Sequence, residues 1–320
     1  MSRAAVTVIV PGFDVAAYAE DALASLRAQT LPDWVAILVD DASTDATGEI
    51  FARAAAADPR FRVVRLPRRS GLGAARNAGL DLVETPFVGF LDADDVLVPD
   101  ALERLTTTLD ASGSDFVAGA YVRLRPNGDG GYATGDVQPW VAAATDPART
   151  GTTIEEHPEA SANIVAWSKL SRREFWHHNA LRFPEGRLYE DQVVAQLMYA
   201  RARRFDVVPH VVAHWRVRAD GTSITQREAE PEVLRECLEA MDAGLRVLET
   251  TGHPRAAQAR VGQILAMDLP RLAEIARAHP SDAYRRTLGT FARSMWDRAD
   301  AARVGLDDRA NAVGAAARLW

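Results

Sequence analysis

The sequence predicts an α/β fold, in which a Rossmann-like open and mostly parallel sheet with flanking helices is followed by a C-terminal helical region. In the N-terminal third, short apolar runs alternate with amphipathic stretches, as in β-α-β units whose sheet is covered on both faces. From about Arg227 the pattern is helical, with breaks at Gly252-His253-Pro254, at His279-Pro280 and at Gly305. We therefore expect a sheet domain over residues 1–225 and a helical region over residues 226–320.

The elements of the sheet domain follow from these patterns in order. Strands are expected at Ala5–Val10, Val35–Val39, Phe61–Leu66, Phe87–Leu91 and Phe116–Leu124. A first helix places Val15, Tyr18, Ala22, Leu23 and Leu26 on one face, and later helices are expected at Leu72–Leu82, Pro99–Leu109 and Gln192–Arg201. Residues 126–160 carry turn chemistry and little periodicity, so we expect a long loop or excursion there.

The composition is that of a folded globular protein, with 320 residues of which 48% are hydrophobic and 25% charged. The net charge of −7 comes from an acidic excess in residues 1–225, which argues against a nucleic-acid partner. A single cysteine, Cys237, indicates a reducing compartment. Since neither a signal peptide nor a transmembrane segment is recognised, we expect a cytoplasmic location, with peripheral attachment at the inner face of the membrane as an option.

Candidate ligand-binding residues follow the strands, because ligands of an open parallel sheet bind outside the carboxyl ends of its strands. The first strand runs into Pro11-Gly12-Phe13-Asp14, and the second into Asp40-Asp41-Ala42-Ser43-Thr44-Asp45. The fourth runs into Asp92-Ala93-Asp94-Asp95. All three strand ends are acidic or turn-like, so the sequence predicts a polar site along this edge of the sheet.

Asp92 and Asp94 are the candidate metal ligands. Two residues apart in an extended chain, their carboxylates project to the same side. Two convergent carboxylates suit a hard divalent cation and leave coordination positions for phosphate oxygens. A solvated acidic turn that caps the helix near Pro99 explains the same residues equally well.

Two further motifs have both a functional and a structural interpretation. Asp41, at the end of the second strand, could accept a hydrogen bond from a base, while Ser43 to Asp45 are good N-caps for the next helix. In Gly71-Leu72-Gly73-Ala74-Ala75-Arg76-Asn77, free amides at a helix start and the guanidinium of Arg76 could face an anion. Close helix packing explains these glycines equally well.

In order and spacing, five segments together resemble glycosyltransferase family 2. They are Val6–Asp14, Gln29-Thr30, Val39–Asp45, Gly71–Gly79 and Phe90–Asp95. The resemblance is strong over residues 5–110 and continues with weaker landmarks to about residue 225. It implies a GT-A fold and an inverting transfer of a hexose or N-acetylhexosamine from a nucleotide sugar, most often a UDP-sugar, with Mn²⁺ or Mg²⁺.

The resemblance also implies roles for individual residues of the donor site. Pro11 and Phe13 would line the base pocket, and Asp41 would hydrogen-bond uracil. Arg76 would reach the nucleotide or diphosphate, Asp92 would lie near the ribose or sugar, and Asp94 would coordinate the metal with Asp92 beside it. The family usually has Tyr-Asn where this chain has Phe13-Asp14, so a hydroxyl contact to the base is lost.

Later segments resemble the family's catalytic and phosphate-binding landmarks. In Leu188-Tyr189-Glu190-Asp191-Gln192, the resemblance makes Asp191 the general base and Glu190 its neighbour, although Asp191 could also simply cap the following helix. Arg216 and Ser223 are the expected diphosphate contacts, with an exposed strand position as the alternative for Arg216. His214 alone could join the metal at Asp94.

Two alternatives to a glycosyltransferase remain at this point: a nucleotidyltransferase, and a catalytically silent nucleotide-binding or scaffold module. The first would have a Gly-rich phosphate loop where this chain has Pro11-Gly12-Phe13-Asp14. The acceptor would be polymeric, lipid-linked or a peptide. The segments Trp167–Leu170 and His214–Arg218 resemble transferases that act on bacterial cell-surface polymers, which makes a cell-wall or surface polymer the favoured class. Trp167 and Trp176 flank Lys169, the only lysine of the chain, and are candidates for an acceptor groove, although core packing is the stronger interpretation. The C-terminal helices would support the acceptor or a homo-oligomer.

Overall fold

The computed structural model describes residues 4–299, 312–314, 316 and 320. The predicted break at Gly305 lies outside these residues. Over the rest of the C-terminal region the predicted breaks are confirmed, because one helix ends at Thr250 before the next begins at Pro254, and another ends at Ala278 before the last begins at Asp282.

Within the described residues, the strands form one ten-stranded sheet in the order β3-β2-β1-β4-β9-β6-β10-β5, with β7 added beside β6 and β8 beside β10. The strands are β1 (Val6–Gly12), β2 (Trp34–Asp40), β3 (Phe61–Arg65), β4 (Phe87–Phe90), β5 (Val96–Leu97), β6 (Phe116–Pro126), β7 (Tyr132–Val137), β8 (Arg149–Thr152), β9 (Lys169–Arg172) and β10 (Phe205–Arg216). The pairs β1·β2, β2·β3, β1·β4 and β6·β10 are parallel, whereas β9 runs antiparallel to both β4 and β6. The predicted open, mostly parallel sheet is therefore confirmed.

Helices cover the sheet and form most of the C-terminal region. They are α1 (Ala16–Arg27), α2 (Thr47–Ala57), α3 (Leu72–Leu80), α4 (Ala101–Ser112), α5 (Pro139–Thr145), α6 (Arg173–His178), α7 (Glu190–Arg201), α8 (Pro231–Thr250), α9 (Pro254–Gln263), α10 (Leu269–Ala278) and α11 (Asp282–Arg298). A π-helical turn over Ile264–Asp268 joins α9 to α10. All seven residues of β1 are buried, as expected of a strand covered on both faces.

Of the two alternatives for residues 126–160, a long loop or an excursion, the loop is wrong because the segment has secondary structure of its own. The segment contains β7, α5, β8 and a 3₁₀ turn at Pro158–Ala162. Strand β7 forms a hairpin with β6, and the Asn127 carboxamide oxygen accepts a hydrogen bond from the Gly131 amide in the turn. Its residues are half-buried or exposed, so the strand lacks the apolar alternation that marks a strand with one face on the core.

The C-terminal helices pack on the sheet domain around a continuous core. Helix α8 lies along α7, and its buried residues Leu234, Cys237 and Met241 belong to the same apolar cluster as the sheet. The division at residue 225 stays a prediction. No helix in the described part of the chain is both long enough and apolar enough to cross a membrane.

Candidate active site

The carboxyl ends of β1, β2 and β4 bring the predicted donor residues to one edge of the sheet. Gly12 pairs with Asp40, and Ile9 with Phe90. The contacts continue beyond the strands, since the Asp41 amide donates to the Gly12 carbonyl at 2.9 Å and the Ala93 amide to the Pro11 carbonyl at 3.2 Å. Pro11, Asp41 and the segment of Asp92 to Asp95 therefore lie side by side.

Asp41 is buried and fixes the segment that precedes α3. One carboxylate oxygen accepts from the Ser70 amide at 2.7 Å, and the other from the Gly71 amide at 2.8 Å. Phe13 follows β1 at the same edge of the sheet, and the Arg69 guanidinium lies 4.1 Å from the centroid of its ring. The predicted base contacts of Pro11, Phe13 and Asp41 stay predictions.

Arg76 connects three parts of the chain through a buried ion pair with Glu190 and a partly buried one with Asp92. The side chain comes from α3 and is 1% exposed, and its two terminal nitrogens bind Asp92 at 2.6 Å and Glu190. Although burial disfavours its charge, Asp92 and Glu190 raise the pKa of Arg76 above its usual value. Both ends of the guanidinium are thus bound to carboxylates, and the predicted contact of Arg76 with nucleotide or diphosphate stays a prediction.

Asp92 and Asp94 each have one oxygen bound to an arginine and one without a hydrogen-bond partner among the described residues. Asp92 binds Arg76, and Asp94 accepts from the Nε of Arg218 at 2.7 Å. Burial raises the pKa of Asp92, Arg76 lowers it, and the neighbouring charge of Asp94 raises it further. Two carboxylates with an unbound oxygen each fit a hard divalent cation whose remaining ligands come from the donor.

A complete protein cage for a metal is not present in the part of the chain that the structure describes. No group of three or more His, Cys, Asp or Glu side chains there is placed to hold an ion. His214, the predicted additional ligand, lies on β10 opposite Val96 of β5, and burial lowers its pKa. Its role in a metal site stays a prediction, as does the pair of Asp92 and Asp94.

Arg216 is buried, so the alternative of an exposed strand residue is wrong. Its Nε donates to the Asp94 carbonyl at 2.6 Å, and a terminal nitrogen donates to Asp21 at 2.9 Å. Its backbone amide donates at 2.7 Å to Asp95, whose pKa burial and the Asp94 charge raise well above the usual range. The Ser223 hydroxyl donates to Gln226 at 2.5 Å. The diphosphate contacts of Arg216 and Ser223 stay predictions.

Glu190 and Asp191 form the first turn of α7, directly after Tyr189, which has a left-handed backbone with φ 56°. Because the helix begins at Glu190, Asp191 lies inside it and is not the N-cap residue. Glu190 is 3% exposed, and burial raises its pKa to about 7 although Arg76 opposes the shift. Glu190 is thus fixed on Arg76, whereas Asp191 is the carboxylate beside it that has no such ion pair among the described residues.

Asp191 faces a small cavity between α7 and β9. Phe90, Lys169, Trp176 and Phe183 line the cavity with it. Burial raises the pKa of Asp191, Asp92 raises it further, and Arg76 and Lys169 lower it. Trp167 and Trp176 are each 4% exposed, which confirms core packing for both.

Lys169 is a buried cation whose charge acts on Asp191, and the sequence motifs did not indicate this. Its ammonium donates to the Asn163 carbonyl at 2.6 Å, the Asn163 side chain at 3.1 Å and the Val165 carbonyl at 2.7 Å. Burial lowers its pKa to about 7, and the charge of Asp191 opposes that shift. The signal in the sequence was that Lys169 is the single lysine, while all the other long basic side chains of the chain are arginines. Arg218 was also missed, although it lies two residues beyond Arg216.

Comparison with known proteins places the chain among sugar transferases. A family model described as "Glycosyl transferase family 2" matches residues 7–176. The glycosyltransferase GlyA of Streptococcus pneumoniae serotype 4 is 28% identical over 251 residues, which are 78% of this chain and 35% of GlyA. The succinoglycan biosynthesis protein ExoO of Rhizobium meliloti is 38% identical over 111 residues, 35% of this chain and 31% of ExoO. The chain thus spans about a third of either relative.

Solved structures share the fold. The crystal structure of S. aureus TarS in complex with UDP-GlcNAc superimposes with a TM-score of 0.74 at 20% identity, over 97% of this chain and 83% of that one. The mannosyltransferase PcManGT of Pyrobaculum calidifontis, in complex with GDP-Man and Mn²⁺, has a TM-score of 0.55 at 20% identity, over 93% and 86% of the two chains.

Proposed function

Because the chain belongs to glycosyl transferase family 2 and is a glycosyltransferase of GT-A fold, we propose that it transfers a sugar from a UDP-sugar to an acceptor hydroxyl, with a divalent cation and with inversion. The observation that carries the proposal is the double ion pair of Arg76. It joins Asp92, at the strand end where the donor is expected, to Glu190, beside the expected base Asp191. Membership in this family also argues against a nucleotidyltransferase.

The donor proposal is supported by the residues at the edge of the sheet and by the relatives' ligands. Pro11, Phe13 and Asp41 would hold the uracil, and Arg216 and Ser223 the diphosphate. TarS, with a similar fold, binds UDP-GlcNAc, and PcManGT binds GDP-Man with Mn²⁺. Asp94 and Asp92 would hold Mn²⁺ or Mg²⁺, and the bound ion would neutralise charge on the departing diphosphate.

The transfer itself needs one base on the acceptor side of the anomeric carbon. The Asp191 carboxylate takes the proton of the acceptor hydroxyl while that oxygen forms its bond to the anomeric carbon. The bond from this carbon to the diphosphate oxygen breaks on the opposite face, and UDP leaves with the electron pair, so the configuration inverts. Arg76 fixes Glu190 and Asp92 in the same network and thereby holds the start of α7 against the donor edge.

We further propose a bacterial surface polymer or its lipid-linked precursor as the acceptor, and the cytoplasm as the place of reaction. The name of ExoO, a succinoglycan biosynthesis protein, supports the polymer class. The single cysteine, buried in α8, is consistent with a reducing compartment. A homo-oligomer through the C-terminal helices stays a prediction.

Calorimetry of UDP binding tests the donor and the metal site without knowledge of the acceptor. Wild-type protein should bind UDP more tightly with Mn²⁺ than without it, and Asp94→Ala should lose this Mn²⁺ dependence because one of two carboxylate ligands is gone. Asp110→Ala, at an exposed position of α4, is the matched control and should bind like wild type.

Either half of the proposal can fail separately. If wild-type protein binds UDP in neither condition, the UDP-sugar donor is wrong. If it binds UDP equally with and without Mn²⁺, and Asp94→Ala does the same, the metal site is wrong.

A further inference from the structure

The end of β10 presents side chains to two different sides of the sheet. Arg216 contacts Asp94 and Asp21 on the donor side. The preceding residue, Trp215, points the opposite way, because successive side chains of a strand alternate between faces. In the parallel pairing with β6, the register partner of Trp215 is Arg123, so both side chains lie on the same face.

On this second face, Arg123 lies between two tryptophans. Its guanidinium carbon is 4.8 Å from the ring centroid of Trp215 and 5.9 Å from that of Trp140, which lies in the first turn of α5. We call Arg123, Trp140 and Trp215 the tryptophan–arginine cluster. The aromatic faces hold the guanidinium in place and leave its edge, which carries the N–H donors, for another partner.

Arg123 has no carboxylate partner within the described residues. It forms no ion pair there, and its Nε is buried without a hydrogen-bond acceptor. Burial and then the charge of Arg125 lower the pKa of Arg123, and burial together with the charge of Arg123 lowers the pKa of Arg271. A buried donor without an acceptor is costly, and no carboxylate of the described residues offsets the charge of this half-buried side chain, so the arrangement favours an anion from outside the chain.

A chain of contacts leads from the tryptophan–arginine cluster to the cavity of the proposed base. Trp215 packs on Trp167 at 6.4 Å between ring centroids, and Ala166, the neighbour of Trp167 in the chain, lines the cavity that Asp191 faces. Tyr121, two residues before Arg123, packs edge-on against Trp167 at 4.8 Å. Burial raises the pKa of Tyr121 to about 12, and the charges of both Arg123 and Asp191 act on the same phenol.

We propose that the tryptophan–arginine cluster is an acceptor subsite that binds an oxyanion, a phosphate or a carboxylate, on the sugar or polyol that receives the transferred sugar. This proposal rests on the proposed function in taking Asp191 as the base. The guanidinium donates two parallel N–H bonds to the oxyanion, and the tryptophans stack on the carbon skeleton beside it. The neighbouring hydroxyl then lies at Asp191, while the donor diphosphate stays on the Asp94 side.

The test measures binding of small acceptor fragments by calorimetry. Glycerol 1-phosphate represents a polyol phosphate and methyl glucuronide a uronic acid. Methyl glucoside is the uncharged sugar with the same ring as the glucuronide. We expect one anionic probe to bind more tightly than the glucoside. Arg123→Gln should lower the affinity for that probe about tenfold or more. Arg62→Gln, at an exposed position on β3 at the far edge of the sheet, should bind like wild type. The anion that binds identifies the acceptor class.

Either of two results overturns the subsite: both anionic probes bind no better than methyl glucoside, or Arg123→Gln binds them like Arg62→Gln. UDP binding with Mn²⁺ is measured in each variant, and loss of it in a folded Arg123→Gln protein would assign Arg123 to the donor site and also overturn the proposal.

The fragment titrations are run with and without UDP, so the subsite is tested even if the donor is not a UDP-sugar. If Arg123→Gln does not fold, Arg123→Lys decides, because it keeps the charge and loses the fork; unchanged binding would refute the subsite.

Discussion

The arginines on the two sides of β10 differ in what they bind. On the donor side, Arg216 and Arg218 bind Asp21 and Asp94, and Arg76 binds Asp92 and Glu190. On the other side, Arg123 lies against Trp140 and Trp215 without a carboxylate among the described residues. Paired guanidinium groups organise the protein's own carboxylates, whereas an unpaired one between aromatic rings has its donors available for a ligand. The donor-side arginines are thus held by the protein's own carboxylates, with the proposed diphosphate contact of Arg216 in addition, whereas Arg123 is proposed to serve recognition alone.

The largest expected effect compares a paired with an unpaired arginine in stability. Arg76→Met leaves the buried Glu190 carboxylate and the half-buried Asp92 carboxylate without their cation, which should lower the free energy of unfolding by about 3–5 kcal/mol. Arg123→Met removes a charge that has no ion pair and should change stability far less. Urea denaturation of both variants measures the difference. Equal losses in the two variants would contradict the distinction between scaffold and recognition arginines.

The next effect separates the proposed base from the ion pair beside it. Asp191→Asn keeps the shape of the side chain but cannot accept the acceptor proton, so transfer should fall on the order of a hundredfold or more while UDP binding is kept. Product formation and calorimetry measure the two properties, with Asp110→Asn as the control at an exposed position. Transfer at the wild-type rate by Asp191→Asn would refute its assignment as the base.

The smallest effect is the influence of Lys169 on the pH dependence of sugar transfer. The base must be ionised, and burial raises its pKa, so kcat/KM should fall on acidification at a pH above the usual aspartate range. Lys169 lowers the pKa of Asp191, so Lys169→Met should move this acidic limb to still higher pH. A pH–rate profile of the two proteins measures the shift, and UDP binding controls for folding. A limb that stays in place, or moves to lower pH, would show that Lys169 does not act on the base.

Strands with an apolar run in the sequence were predictable, whereas the short strand β5 and the short, polar central strand β9 were missed together with β7 and β8. The apolar runs predicted β1 to β4 and β6, because a strand covered on both faces must be apolar along its length. Strand β7 was missed because it lies at the edge with exposed side chains, and β8 because four residues carry little pattern. Periodicity reports burial, so it cannot detect a strand defined only by backbone hydrogen bonds to a neighbour.

The sequence by itself determined the strands β1 to β4 and β6, the polar segments that follow β1, β2 and β4 and, through five ordered motifs, the family. These are local properties, since a strand end and the residues after it are neighbours in the chain. Tertiary structure alone decided that Arg76 joins Asp92 to Glu190, that Arg218 binds Asp94, and that Arg123 lies between Trp140 and Trp215. Such contacts join residues far apart in sequence, and their partners are set by the crossing of strands and the packing of helices, which a local pattern does not encode.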